Sequence, residues 1–483
     1  MNNRRLFSFL MGFWLFIACE NPNNVRESNE PPPIYPDYTD VTIPCNIAPL
    51  NFILRNRPER MKVVLKGKFI QSRFVGKDKI QFSESRWKQF MQTEKGNTVS
   101  VRITARVKGQ WIKYQSFDWT IAEDEIDPCL TYRLIEPGYE VWHKIQLCER
   151  NLENFSVKIF ADNNLTGMSC MNCHVFGNQN PNLSFFHLRG EKGGTVLNRN
   201  GNLRKINTAA NSTGISATYG NLHPSGKYGV FSANIVIPEF HTIASKKLEV
   251  YDKASDMLVL DFDNNRIIQS PLITGEDHFE TFPVFSADGN RIFYCVASKK
   301  PLPDSIKQLK YSLCSISFDI QTGQLGNRVD TLLYMSENDK SVSFPKPSPD
   351  GRFLLYCISD YGTFPIWHRE TDLQMLDLIS GEISDLQTVN SNYSDTYHSW
   401  SSNSRWFVFA SKRDDGLYGK PYFCYVDSSG AAHKPFVLPQ QDPYYYDYTL
   451  KSFNIPELAA GKLPFSVADI EHLYWKESAE QFK

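Results

Sequence analysis

The stretch FPKPSPDGRFLLYCISD, residues 344–360, places a Pro-Asp-Gly turn directly before an apolar run. Pro349 presets the backbone for a turn, and Gly351 tolerates the left-handed conformation that a tight reversal needs. The residues that follow, Phe353 to Ile358, are apolar on both alternating faces. Such a strand packs between neighbouring sheets and does not face solvent on one side. Three further stretches share this grammar: LHPSGKYGVFSAN from 222, FPVFSADGNRIFYCVAS from 282 and YHSWSSNSRWFVFASKR from 397. Gly226, Gly289 and Gly351 hold the turn, and Ser404 stands in the fourth. These positions are 63, 62 and 53 residues apart, so insertions belong in the connecting loops. Each unit continues into a second pair of alternating strands, as in TDLQMLDLISGEISDL. About four strands per unit describe a β-propeller blade. A fifth unit lies in LSFFHLRGEKGGTVLNRNGNLRKIN. A sixth is assembled from residues around 131–165 and the segment after 441, which closes the ring across the two ends of the chain and removes exposed sheet edges. The expected fold is therefore all-β, a propeller of five or six blades over residues 129–475.

The turn motif resembles that of the TolB-like family of propeller repeats. KPSPDGRFLLY is the best match and VFSADGNRIFY is close, whereas HPSGKYGVF lacks the Asp and WSSNSRWFVF lacks the Gly. The wider wording of YRLIEPGYEVWHKIQLCERNLENF, GMSCMNCHVFG and KPFVLPQQDPYYYDYTLKSFNIPEL is similar to TolB-like lipoproteins of the Bacteroidetes type, over roughly residues 130–460. That resemblance implies a propeller in an exported, lipid-anchored protein and carries little about activity.

The N-terminus agrees with export. Arg4 and Arg5 precede an apolar run, Leu6 to Ala18, of signal-peptide length and too short to span a bilayer. It ends at Ala18-Cys19, which resembles a bacterial lipobox with Cys19 as the lipidated mature N-terminus. The expected location is the periplasm or cell surface, attached to the inner or outer membrane. Residues 19–44 are polar and Pro-rich and read as a flexible tether. Residues 45–128 alternate with period two in MKVVLKGKFI, NTVSVRITARVKG and QWIKYQSFDWTIA, interrupted by SESRWKQFMQTE, a short helix with a Ser cap. This predicts a small β-sandwich of Ig-like type serving as a spacer or docking module.

Hydrophobic residues at 41% and charged residues at 22% describe a globular chain, and a formal net charge of −1 gives no basic face for nucleic acid. No Gly-x-Ser-x-Gly elbow, His-Glu-x-x-His, phosphate loop or dinucleotide fingerprint occurs. The chain reads more readily as a binding or redox protein than as an enzyme. Cys295 and Cys357 occupy equivalent strand positions and read as packed residues, and Cys45 with Cys129 is a candidate bridge.

The chemical signal is Cys170-Met171-Asn172-Cys173-His174. In an oxidising compartment C-x-x-C-H is the attachment signature of haem c: two thiols reach the two vinyl groups and the adjacent histidine ligates iron. Cys170 and Cys173 would form the thioethers and His174 the proximal bond. His187, returning in the strand LSFFHLRG, is the candidate for the opposite iron face, with His143 as runner-up; Met168 and Met171 lie too close to the thioethers. Two other readings remain open, a Cys170–Cys173 disulfide and a Cys/Cys/His metal site. The expected function is thus an exported propeller carrying one haem c for electron transfer with a redox or protein partner. The alternative is a non-redox binding module for a protein or glycan. His223, His278 and His398, with Asp277, Glu280, Arg413, Asp414 and Asp415, recur near the inner-strand turn. They line a channel mouth in one reading, and cap turns in the plainer one. DPYYYDYTL reads as a packed closure segment.

Overall fold

The computed structural model describes residues 25–136, 144–209, 215–243 and 246–483. Six four-stranded antiparallel sheets follow one another around a ring. Blades 1 to 5 are consecutive in the chain, with inner strands Met171–Gly177, Tyr219–Leu222, His278–Phe285, Ser341–Pro347 and Asp395–Trp400. Blade 6 takes its inner strand from the far end of the sequence. Ser452–Ala459 pairs with Cys129–Ile135, in register from Cys129↔Ala459 to Ile135↔Ser452, and Ile145–Asn151 and Val157–Asp162 complete that sheet. The inner strands contact one another in a closed cycle, so the ring has six blades and is sealed by strands from opposite ends of the chain.

The turn grammar works as its residues require. Gly226, Gly289 and Gly351 sit at φ 70°, 77° and 75°, and Ser404 takes φ 60° at the fourth turn. Ser286, Ser348 and Ser401 cross these turns to Asp288, Asp350 and Asn403. His223 occupies the serine position in blade 2, where Nδ1 meets the Ser225 hydroxyl at 2.8 Å. The strands behind the turns are buried on both faces: Leu354, Leu355, Tyr356 and Cys357 are all enclosed, as are Phe407, Val408 and Phe409. Cys295 and Cys357 are packed free thiols at equivalent places. Cys45 and Cys129 are free as well, so the candidate bridge between them is not formed.

The N-terminal module departs from its sequence reading in three ways. Its strands begin well before residue 45. Val25–Glu27 pairs in parallel with Gln110–Lys113, and Val41–Pro44 pairs in parallel with Phe117–Ala122. Tyr38, Val41 and Ile43 are buried, because the polar, Pro-rich composition of 19–44 conceals an apolar set that fills the module's core. The flexible tether therefore does not extend through residue 44. A seven-stranded sheet, a three-stranded sheet and a helix Glu84–Thr93 make up the module, and its parallel pairs set it apart from the antiparallel Ig arrangement. Ser83 precedes that helix as expected, but its side chain makes no capping bond. Burial of Trp87, Phe90 and Met91 anchors the helix instead.

Nor is the module a loose spacer. Its core is continuous with that of blades 4 to 6. The Asp127 carboxylate accepts from the Ser402 amide at 2.8 Å and hydroxyl at 2.6 Å, and Trp406 donates to the Asp124 carbonyl. Arg55 makes a two-pronged ion pair with Asp447, which lies in the tyrosine-rich segment before the closing strand. That segment packs as a closure piece, with Tyr446 buried and the Tyr444 hydroxyl on Asp78 at 2.6 Å.

Removing residues 452–483 leaves the 129–135 strand with an open edge beside a truncated core. The expected outcome is loss of the single cooperative melt by circular dichroism and a shift to oligomers by size exclusion. A truncated chain that melts like the full one would contradict closure through this strand.

Candidate functional site

In five blades the pairing of the inner strand is broken by a bulge, and in four of them one residue there takes a strained backbone. Phe282, Phe344, Tyr397 and Ile455 have φ of 53°, 53°, 50° and 51°. The pairing register shifts between Thr281 and Val284, between Ser343 and Lys346, and between Thr396 and Ser399. Left-handed backbone is costly for bulky and β-branched side chains, and its recurrence at equivalent places marks an imposed geometry. The next residue is Pro283, Pro345 or Pro456 in three blades, and proline is tolerated there because the bulge removes it from the ladder. Tyr219 occupies the matching position in blade 2. Tyr219, Phe282, Phe344 and Tyr397 form a chain of rings with centroids 4.5, 4.0 and 5.0 Å apart, and Phe364 approaches Tyr219 from a loop of blade 4. Aromatic packing therefore plugs the channel.

Cys173 and His174 fall on this same pattern. In blade 1 the register shifts between Asn172 and Val175, so Cys173 stands at the position of Phe282, and His174 at that of Pro283. His398 holds the proline position in blade 5. The signal was present in the sequence as TFPVFS, SFPKPS, TYHSWS, NIPELA and NCHVFG, one step upstream of the turn residues that reveal the blades.

The channel beside the plug carries buried polar groups. His174 is enclosed, with a hydrogen bond to the Thr131 backbone and no partner at Nε2; burial and the nearby Arg133 lower its pKa to about 3. His398 Nε2 bonds the Leu355 carbonyl at 2.9 Å, and burial lowers it to about 3 as well. Glu457 accepts from the Phe176 amide, and burial raises its carboxyl to about 7 against the pull of Lys346. The free space among His174, Tyr219, Phe282, Phe344, Lys346 and His398 is about 50 Å³.

That space does not fit a porphyrin, since sites for small organic ligands run from about 300 Å³ upward. The strand is also the wrong scaffold. Met171–Gly177 is extended and paired with Asn180–Leu188, so neighbouring side chains leave opposite faces, apart from the bulge. Met171 is buried in the core, and the Cys170 thiol is free and half-buried beside its own strand. His187 is not brought to His174. It lies in the layer between blades 1 and 2, with Nδ1 on the Thr195 hydroxyl at 2.7 Å and its ring against Phe185 and Phe231. The described geometry thus gives the haem c expectation no support. With Cys170 free, it does not form the Cys170–Cys173 disulfide. Among the described residues no group of three His, Cys, Asp or Glu is arranged to hold a metal. Cys19 and His143 lie outside the described residues.

The other histidines are dispersed along the ring axis and do not gather at one mouth. His278 opens the inner strand of blade 3, His398 is at mid-strand and His223 is in the turn beyond the strand end. Of the charged groups expected with them, Arg413 pairs with Asp395 and Asp414 with Lys420.

Two features distinguish the upper end of the ring, where inner strands begin. The first is a hairpin in blade 2 whose strands, Tyr228–Ile243 and Lys246–Asp261, have 16 residues each. Its outer half extends past the blade and reaches blade 4, where Tyr361 donates to Glu249 at 3.0 Å and His368 lies 3.4 Å from the same carboxylate. The second is a groove of about 640 Å³ between blades 4 and 5, lined by Asp372, Gln374, Asp385, Asn390, Tyr393 and Arg413. Burial and the neighbouring Asp395 raise Asp372 to about 6. Gln374 and Asp385 bond each other across the wall at 2.7 Å.

No family model matches the chain, and no curated protein sequence matches it. Solved structures with similar folds include prolyl oligopeptidase B from Galerina marginata bound to a 25mer macrocyclization substrate, at 11% identity and a TM-score of 0.36. The match covers 70% of this chain but only 43% of the oligopeptidase. A DUF4784 family protein from Bacteroides caccae is 11% identical over 77% of this chain and 96% of its own, with a TM-score of 0.32. An oligogalacturonate lyase in complex with manganese is 11% identical over 70% of this chain and 86% of its own, also with a TM-score of 0.32. Likeness at this level says nothing of activity or ligand.

Glu457 gives the channel a measurable pH signature. The folded protein keeps this proton up to about pH 7, whereas the unfolded chain releases it near 4.5. The group's contribution is therefore full in acid and is lost as pH rises through about 7. Glu457→Gln is expected to stabilise the protein at pH 8, by about 1–3 kcal/mol, and to change little at pH 4.5. Urea melts at the two pH values measure this difference.

Proposed function

We propose that this protein is an exported, membrane-tethered propeller of the TolB-like kind that acts as a non-redox binding module. In this reading Cys19 carries the lipid anchor, the N-terminal module holds the ring in a fixed attitude to it, and the upper end of the ring faces the partner. The observation that carries the reading is the groove between blades 4 and 5. Its walls carry carboxylates, amides, one tyrosine and the Arg413 guanidinium, with Asp372 half-buried among them. A wall of this kind suits a hydroxyl-rich ligand, which supplies donors to carboxylate oxygens and stacks a sugar face on an aromatic ring. A glycan is the class it fits best.

Binding of isolated cell-surface oligosaccharides to the full mature chain, measured on an array and by calorimetry, tests this. Asp372→Ala and Asp385→Ala are each expected to weaken binding tenfold or more, about 1.4 kcal/mol per tenfold, without lowering the melting temperature. Retention of no glycan by the wild type, or equal binding by the variants, would overturn the assignment of the groove.

The redox alternative makes a separate claim about the same chain. Protein matured in a host with haem c assembly is expected to show no Soret band after acid-acetone extraction. A band that survives extraction and disappears in Cys170→Ala would restore the haem reading and displace this one.

A further inference from the structure

The hairpin of blade 2 covers a layer of buried oxygen atoms at the upper end of the ring. Along the hairpin the register slips between Ile235↔Ala254 and Val236↔Asp252, so Lys253 is the extra residue and stands exposed. Asp252 is thereby turned inward, fully buried. Neither of its carboxylate oxygens makes a hydrogen bond, although Asn234 and Thr363 lie beside it without completing one of acceptable geometry. Asn234 spends its amide nitrogen on the Thr281 hydroxyl of blade 3, at 3.0 Å, leaving its own oxygen without a partner. Thr363 Oγ1, Tyr311 OH and Ser255 Oγ are also unpartnered and shielded from solvent.

These groups share one chemistry. They are oxygens, and the six atoms belong to three different parts of the ring: the hairpin (Asp252, Asn234, Ser255), blade 3 (Tyr311) and the blade 4 loop (Thr363). A protonated Asp252 can donate once and the Thr363, Tyr311 and Ser255 hydroxyls once each, yet none of these bonds is formed. A hard cation satisfies them together, because it takes several carboxylate, amide and hydroxyl oxygens at once and prefers no nitrogen or sulfur. Burial of a lone carboxylate is unfavourable, and here it raises Asp252 to about 7; a cation offsets that cost directly. We propose that Asp252, Asn234, Thr363 and Tyr311 form a binding site for a hard metal cation, which fastens the hairpin down over the end of the ring.

The site has a structural consequence. Glu249, three residues along the same strand, already joins the hairpin to Tyr361 and His368. A cation on Asp252 adds a second fastening on the inner side, toward Tyr311 and Thr363. The hairpin then depends on cation concentration for its closed position, independently of the groove between blades 4 and 5.

The test uses the full mature chain, dialysed against a chelator into buffer with a large organic cation. Calcium, sodium and potassium are then added separately. One of them is expected to raise the melting temperature by about 3 °C or more and to slow amide exchange in residues 228–261. Asp252→Asn, which keeps shape and loses charge, is expected to abolish both responses and to remove the metal from elemental analysis. Thr363→Val provides a second variant, expected to weaken the response tenfold or more in cation concentration. If no cation shifts the wild type, or if Asp252→Asn responds as the wild type does, the site is not a cation site. Equal stabilisation by Asp252→Asn in every salt would likewise overturn it, identifying Asp252 as a buried neutral acid.

Discussion

The pairing of Ser452–Ala459 with Cys129–Ile135 is the constraint on which the other features depend. It joins segments more than 300 residues apart and leaves the ring with no open edge between its first and last blades. Closure fixes the channel diameter, and with it the spacing of the six inner strands. It also fixes the module, because the chain enters blade 6 directly from Asp124–Asp127, whose groups are bonded to the Ser402 turn and Trp406 of blade 5. The module and the ring thus share one core because the closing strand brings both ends of the propeller sequence to the same place.

The strained residues follow from that closure. Phe282, Phe344, Tyr397 and Ile455 sit in backbone that costs roughly 1–2 kcal/mol each for residues of their type. An isolated sheet would relax such a bulge. In a closed ring each strand is held on both sides, and at Phe282, Phe344 and Tyr397 the strained backbone accompanies an aromatic ring packed against its neighbours in the channel. The plug, the small free volume and the low pKa values of His174 and His398 are products of one packing arrangement.

The same arrangement explains how far the sequence could be read. Blade units, turn glycines and the substitution of Ser404 were legible because a tight turn followed by a buried strand admits few residue types. Ring closure was legible too, since a sixth blade could be completed only by borrowing a strand. The module's start was hidden by Pro32, Pro33 and Pro36, whose composition resembles a linker while Ile34, Tyr38 and Val41 fill the core between them. The CMNCH segment reads two ways for a different reason. Its spacing matches a covalent haem motif, yet Cys173 and His174 also fall where other blades carry Phe-Pro or Tyr-His. A motif defined by spacing alone does not state the backbone on which it is mounted, and here that backbone is an extended strand with a bulge.

What separates the two ends of the ring is the chemistry of their loops. At the lower end the turns are short and closed by their own Ser, Asp and Asn side chains. At the upper end the chain adds length: the blade 2 hairpin, the 360–371 loop that contributes Phe364 and Tyr361, and the loops flanking the groove between blades 4 and 5. Long connections are entropically costly and fold stability alone does not require them. Here they bury a carboxylate, carry exposed side chains such as Phe240 and Trp367, and frame a polar groove. The lower end is thus committed to holding the blades and the module together. The upper end carries side chains, such as Phe240, Trp367 and Asp372, whose apolar or hydrogen-bonding surface the blades leave uncovered.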